Sequence, residues 1–188
     1  VAIFFSAIGF YLYLYKRHIF EKESTFVLIN LLLLCTLLIA KAVAAINLGA
    51  RTEVSLLIAY MIPVAAGSML IAILVDVKLS VFITALLAIL IGITNGFELQ
   101  FAFVAFAGGI AGIYSVSKLS QRSDLAKASV YIIAANVTAI IALGLMLNYS
   151  LAMLSVALLL GIINGVLSSV LTIGLLPFLE NAFGVTTS

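Results

Sequence analysis

Side chains able to do chemistry are few in this chain. His18 is the only histidine, and it sits in the basic stretch "KRHIFEKES". One histidine among scattered acids does not build a metal centre. The sequence contains no HExxH, no glycine-rich phosphate loop and no Ser/His/Asp set. Cys35 is the single cysteine, so neither an intrachain disulfide nor a cysteine-based metal site can form. It reads as a small buried hydrophobe in an apolar run. No residue takes a catalytic role, and no metal or cofactor is expected in this chain. The net charge of +2 gives no reason to expect nucleic acid as a partner.

What chemistry remains is polar groups set inside apolar runs. Asn136 and Asn164 lie well within such runs, and a buried amide needs a partner. Either they bond between helices or they line a polar cavity. Lys41 lies near the end of an apolar run. It can snorkel outward, pair with Glu53 or Glu98, or serve a ligand or signal. Lys41, Arg51, Glu53 and Glu98 thus form a candidate polar cluster at one mouth of the bundle. Pro63 lies mid-run, where a missing N–H kinks a helix or makes a hinge. Gly108 with Gly112 and Gly161 with Gly165 form GxxxG pairs, which let helix backbones approach closely. Their glycine faces are expected to point into the bundle. Thr138, Ser168, Ser169 and Thr172 can satisfy backbone carbonyls.

The elements that must position these residues follow from composition. The chain is 65% hydrophobic and 9% charged, against about 25% charged in soluble domains. That is too little polar surface for a water-soluble globule of 188 residues. The apolar runs are long and lack period-2 alternation, so they predict transmembrane helices and not barrel strands. Charged or turn-forming stretches divide the chain into seven spans: 1–15, 25–46, 54–75, 79–94, 101–116, 128–147 and 151–179. The fold class is therefore an all-α, polytopic transmembrane bundle. The last span is long for one crossing and is expected to tilt or to emerge from the membrane.

Charge placement orients the bundle. Odd-numbered gaps hold Lys16, Arg17, Lys22, Lys78, Lys118, Arg122 and Lys127, whereas even-numbered gaps hold only Arg51. By the positive-inside rule the N-terminus lies outside and the C-terminus in the cytoplasm. The first residue is Val1, and the run to Tyr15 would span about 22 Å, short of the roughly 30 Å hydrocarbon core. The natural chain is therefore expected to extend upstream. Residues 180–188 read as a cytoplasmic connector. Pro177 falls where the last helix leaves the bilayer and can bend it. Phe178, Leu179 and Phe183 suit a segment that lies on the membrane or docks on a following domain.

The stretches "IPVAAGSML" at 62–70 with Asp76, "AGGIAGIYSV" at 107–116, "QRSDL" at 121–125 and "LLPFLENAFGVTT" at 175–187 resemble the seven-transmembrane HD-domain proteins of bacteria. These include the PgpH-type cyclic di-AMP phosphodiesterases. The resemblance is strongest from about residue 55 onward; over the first two spans it is one of general hydropathy. It implies an extracytoplasmic N-terminal domain, seven helices in the plasma membrane, and a cytoplasmic HD domain with two divalent metal ions. That domain hydrolyses cyclic di-AMP to pAp-A, and its His and Asp ligands lie beyond Ser188, so none maps onto this chain. The function implied is that of a transmembrane sensory and anchoring module. Its partners would be the lipid bilayer and the protein's own flanking domains.

Two other readings are available from the residues. A small transporter, or a substrate-binding subunit like the S components of vitamin uptake, would line a site with Asn136, Asn164 and Lys41. A passive anchor or dimerisation module would use the GxxxG faces to form a homo-oligomer.

Overall fold

A computed structural model describes residues 23–45, 57–117 and 125–184 of the chain. The first predicted span, His18, Arg51 and Glu53 lie outside the described residues. Among those described, every regular element is helical. They are α1 (Glu23–Ala44), a short 3-10 turn (Ile58–Met61), α2 (Val64–Leu74), α3 (Val77–Thr94), α4 (Leu99–Ser117), α5 (Leu125–Met146) and α6 (Leu151–Phe183). Five of these helices are long and apolar enough to cross a membrane: α1, α3, α4, α5 and α6.

α2 is the axis of the bundle. Nine of its eleven residues are buried, and α1, α3, α4 and α6 all pack on it. A helix apolar on every side belongs in a core or a membrane interior. On α5, Ala128 and Ile132 close against Ala65 and Met69 of α2. α5 packs between α4 and α6. The outward faces stay apolar: Leu34 and Leu38 on α1, Phe103 on α4, Val130 on α5 and Val170 on α6 are each at least half exposed. A continuous apolar exterior of this kind has hydrocarbon as its solvent. Cys35 belongs to that exterior. The expectation that it is buried is corrected, because it is exposed on α1.

The segment predicted as one span over 54–75 is interrupted. Its described part opens with the 3-10 turn; Ile62 is then extended, and α2 starts only after Pro63. Proline lacks the N–H that would continue the ladder, and its ring disfavours helical backbone in the residue before it. The result is a break between two helical pieces and not a kink within one helix.

Local signals set the other boundaries. Asp76 caps α3, its Oδ1 accepting from Leu79 N at 2.9 Å, and Ser150 caps α6 by accepting from Met153 N at 3.2 Å. The α3–α4 turn runs through Gly96 and Phe97, both at positive φ, a conformation that costs glycine little. α6 is longer than the predicted span of 151–179. It continues through Pro177 to Phe183 and ends on Gly184 in the left-handed conformation. Its 33 residues correspond to about 50 Å at 1.5 Å per residue, well beyond a ~30 Å hydrocarbon core. Leu176 and Leu179 are buried, Phe183 packs on the core, and Phe178 is exposed. The last turns of α6 therefore lean on the bundle before the helix ends.

Candidate functional site

The two asparagines are buried, Asn136 at 1% and Asn164 at 5% exposure. Asn164 on α6 meets the helix break. Its Nδ2 donates to Tyr60 O at 2.8 Å and to Ile62 O at 2.7 Å. An interrupted helix leaves carbonyls without their i+4 donors, and in an apolar interior each needs another partner. The Asn164 amide supplies it across more than a hundred residues of sequence. Ser168 Oγ then donates to Asn164 Oδ1 at 3.2 Å, and Thr172 Oγ1 donates to Ser168 O at 2.8 Å. A polar line thus runs down α6 from the break.

Asn136 on α5 donates from Nδ2 to Gly161 O of α6 at 3.2 Å. The predicted glycines make room for these contacts. A Cβ at Gly108 would stand 2.4 Å from Asn136 Oδ1, and one at Gly161 would stand 2.6 Å from Ile140 Cδ1. A Cβ at Gly165 would meet Ile133 side chain and backbone, and one at Gly112 would meet Met69 and Ala65. Both GxxxG faces are thus filled by neighbouring helices of the same chain. The space between Asn136 and Asn164, bordered by Ile62, Ala65 and Gly108, is too small for a water molecule. The two amides serve helix contacts and do not line an open cavity.

A second polar group joins α2 to α3. Ser80 Oγ donates to Ser68 O at 2.5 Å, and Thr84 Oγ1 lies 2.6 Å from Ser68 Oγ. All three residues are fully buried. Gly109 of α4 lies directly over them, since its Cβ would fall 2.4 Å from Thr84 Cγ2. Of the residues expected to bond to carbonyls, Thr138 reaches Ala134 O at 2.8 Å. Ser169 Oγ is buried without a hydrogen-bond partner.

At the end of the bundle carrying Glu98, Arg51 and Glu53 of the predicted cluster lie outside the described residues, and a further polar group is assembled there. Lys41 is exposed in the last turn of α1, where its charge complements the helix dipole. Glu98 is exposed and accepts from Gln100 Nε2 at 3.3 Å. The assembled group is Tyr60, Gln100 and Tyr149. Tyr60 OH donates to Gln100 Oε1 at 3.2 Å and lies 3.3 Å from Tyr149 OH. Tyr149 OH also donates to Gln100 Oε1. Phe101 holds the Tyr60 ring edge-on, with centroids 4.9 Å apart. The sequence does not mark these three: Gln100 and Tyr149 fall in the fourth and sixth gaps, and Tyr60 lies inside the span predicted over 54–75.

Two interlocked joints therefore meet in the short segment before Pro63. The Tyr60 side chain ties it to α4 and to the α5–α6 turn; the Tyr60 and Ile62 carbonyls tie it to α6. Among the described residues, no group of three His, Cys, Asp or Glu side chains could hold a metal ion.

The family described as 7TM receptor with intracellular HD hydrolase matches residues 1–187. The chain belongs to this family. It is also 26% identical over 196 residues to the cyclic-di-AMP phosphodiesterase PgpH of Bacillus subtilis (strain 168). That alignment covers 100% of this chain and 27% of PgpH, so the chain spans about a quarter of that relative's length. No solved structure matches it. Membership in the 7TM receptor family agrees with the apolar exterior of the bundle: this is a membrane protein of a family linked to HD-domain hydrolysis.

Proposed function

We propose that this bundle is the transmembrane sensory and anchoring module of a cyclic di-AMP phosphodiesterase. Seven helices cross the bacterial plasma membrane with the N-terminus outside. Residues 180–188 lead into a cytoplasmic HD domain that carries two divalent metal ions, and an extracytoplasmic domain precedes Val1. Hydrolysis is assigned to the HD domain because the family description places the hydrolase there. This chain's part is to hold that domain at the inner leaflet and to alter its activity.

The observation that carries the reading is the Asn164 joint. α6 is the helix that ends nearest the C-terminus, and its amide caps the break whose other face, Tyr60 OH, joins the Tyr60–Gln100–Tyr149 cluster. With the orientation from charge placement, that cluster is at the outer surface and the Phe183 end of α6 is at the inner one. A stimulus that moves the cluster therefore moves α6 through hydrogen bonds and not through loosely packed side chains. It changes output only if it favours one of two bundle arrangements over the other. The transporter reading needs an open polar site, and the space between Asn136 and Asn164 is closed. The dimerisation reading needs a free glycine face, and Gly161 and Gly165 are covered by α5.

The test is a bundle exchange in the intact protein. Residues 1–184 are replaced by an unrelated membrane anchor of the same topology, and cyclic di-AMP hydrolysis is followed in cells under envelope stress and at rest. The exchange should leave hydrolysis present and remove its response. A response that survives the exchange would sink the sensory role.

A further inference from the structure

A groove of about 470 Å³ opens on the membrane face of the bundle, lined by α3, α4 and Leu143 of α5. Ala85, Ala88 and Ala102 give it depth, and Leu99, Phe103 and Phe106 form one wall. Its volume falls within the roughly 300–1,000 Å³ of small-molecule sites. From Leu99 to Phe106 it follows α4 for about 10 Å, most of the ~15 Å hydrocarbon depth of one leaflet. Gln100 lines its Leu99 end, and the exposed Glu98 carboxylate beside it is the bonding partner of the Gln100 amide. An apolar slot that runs for most of one leaflet, opens toward lipid and has a negative charge beside its Gln100 end matches one class of occupant. We propose that it holds an acyl chain of a bilayer phospholipid whose headgroup bears an amine. The chain's upper end then lies against Gln100, the residue whose Oε1 accepts from both Tyr60 and Tyr149. That placement identifies the ligand class for the sensory reading and rests on that reading only for its regulatory consequence. Binding itself is measured without hydrolysis, so the two can fail separately.

The test places the intact protein in vesicles of phosphatidylethanolamine and phosphatidylglycerol, with a trace of one or the other carrying a diazirine in an acyl chain. After irradiation, adducts are mapped by mass spectrometry. Adducts on Ile89, Leu99 and Phe106 should exceed those on Val166 and Val170, which are exposed on α6, with the ethanolamine probe labelling more than the glycerol probe. Ala85→Phe fills the groove and should cut the groove adducts roughly tenfold, the factor that about 1.4 kcal/mol of binding corresponds to, leaving those on α6 unchanged. Phe103→Ala removes a wall without adding atoms to the core and should lower them as well, which decides the matter if Ala85→Phe does not fold. Equal labelling of groove and α6, undiminished adducts in a folded groove variant, or no headgroup preference would each overturn the proposal.

Discussion

Asn164 joins α6 to the segment before Pro63. Its amide donates to two backbone carbonyls released by the break, and its own oxygen accepts from Ser168. Asn164→Leu keeps the branched outline and removes the donor, leaving Tyr60 O without it while Ile62 O keeps Val64 N at 2.9 Å. A buried acceptor stripped of its partner costs about 1–3 kcal/mol, with membrane examples at the lower end. Asn164→Leu should therefore lower unfolding free energy in bicelles by about 1–3 kcal/mol, and by more than Asn136→Leu, which loses one 3.2 Å bond. Equal losses would remove the special standing of the break. The glycines supply a second contrast. Gly109→Ala places a methyl 2.4 Å from Thr84 Cγ2, whereas Gly174 has nothing within 4 Å of its would-be Cβ. The first substitution should cost about 1–3 kcal/mol by overpacking. The second should be neutral or stabilising by up to about 1 kcal/mol through helix propensity. Thermal unfolding of the two variants side by side checks this. At this scale the sequence was informative where a residue was anomalous for its surroundings: an amide or a closely spaced glycine pair in an apolar run marks a helix contact. It was silent on Tyr60, Gln100 and Tyr149, since an interfacial tyrosine or glutamine is ordinary on its own and only the fold brings the three together.

At the scale of elements, Pro63 and Asn164 are two halves of one feature. Proline removes the N–H that would bond to Ala59 O, and Asn164 donates to Tyr60 O, which loses its helical donor, and adds a second donor to Ile62 O. In an unbroken helix, Tyr60 O would accept from Val64 N and Ile62 O from Ala66 N, so the asparagine would have little to bond. The structure instead pairs Val64 N with Ile62 O at 2.9 Å and Ala66 N with Pro63 O at 3.2 Å. Pro63→Ala restores the donor and lets the segment move toward a continuous helix. The cost of Asn164→Leu should therefore be smaller in the Pro63→Ala background, with a coupling of at least about 0.5 kcal/mol in a double-mutant cycle. Additive losses would mean that the break persists without its proline and that the two residues act independently. Helix number and limits from α3 to α5 were legible because charged or turn-forming residues bracket each apolar run. The break was not, because a proline in an apolar segment is compatible with a kink, a hinge or an interruption. Which one forms depends on whether a distant helix offers the missing donors. α6 likewise runs past 179, the predicted end of its span: Pro177, expected to bend the helix, lies within it, and Leu179 and Phe183 still have core to pack against.

For the whole molecule, the decisive question is which way the bundle faces, because the sensory reading needs the Tyr60–Gln100–Tyr149 cluster outside and the end of α6 inside. The turns after α2 and α3 lie at opposite ends of α3 and offer exposed positions for a direct measurement. Lys78 is exposed beside the Asp76 cap, and Glu98 is exposed at the mouth of α4. The charge asymmetry that orients the chain is borne mostly by Lys16, Arg17, Lys22, Lys118 and Arg122, all outside the described residues, so the helices themselves do not reveal it. Such asymmetry orients short-looped proteins because basic residues resist translocation, whereas acidic ones count little. In a Cys35→Ser background, Glu98→Cys should react with a membrane-impermeant maleimide on intact cells, and Lys78→Cys should react only after the cells are opened. Lys118→Cys, placed one membrane crossing beyond Glu98, should follow Lys78→Cys. The reverse pattern would put the Tyr60–Gln100–Tyr149 cluster in the cytoplasm and the end of α6 outside. A cytoplasmic hydrolase could not then follow α6, and the sensory proposal would fall with the topology.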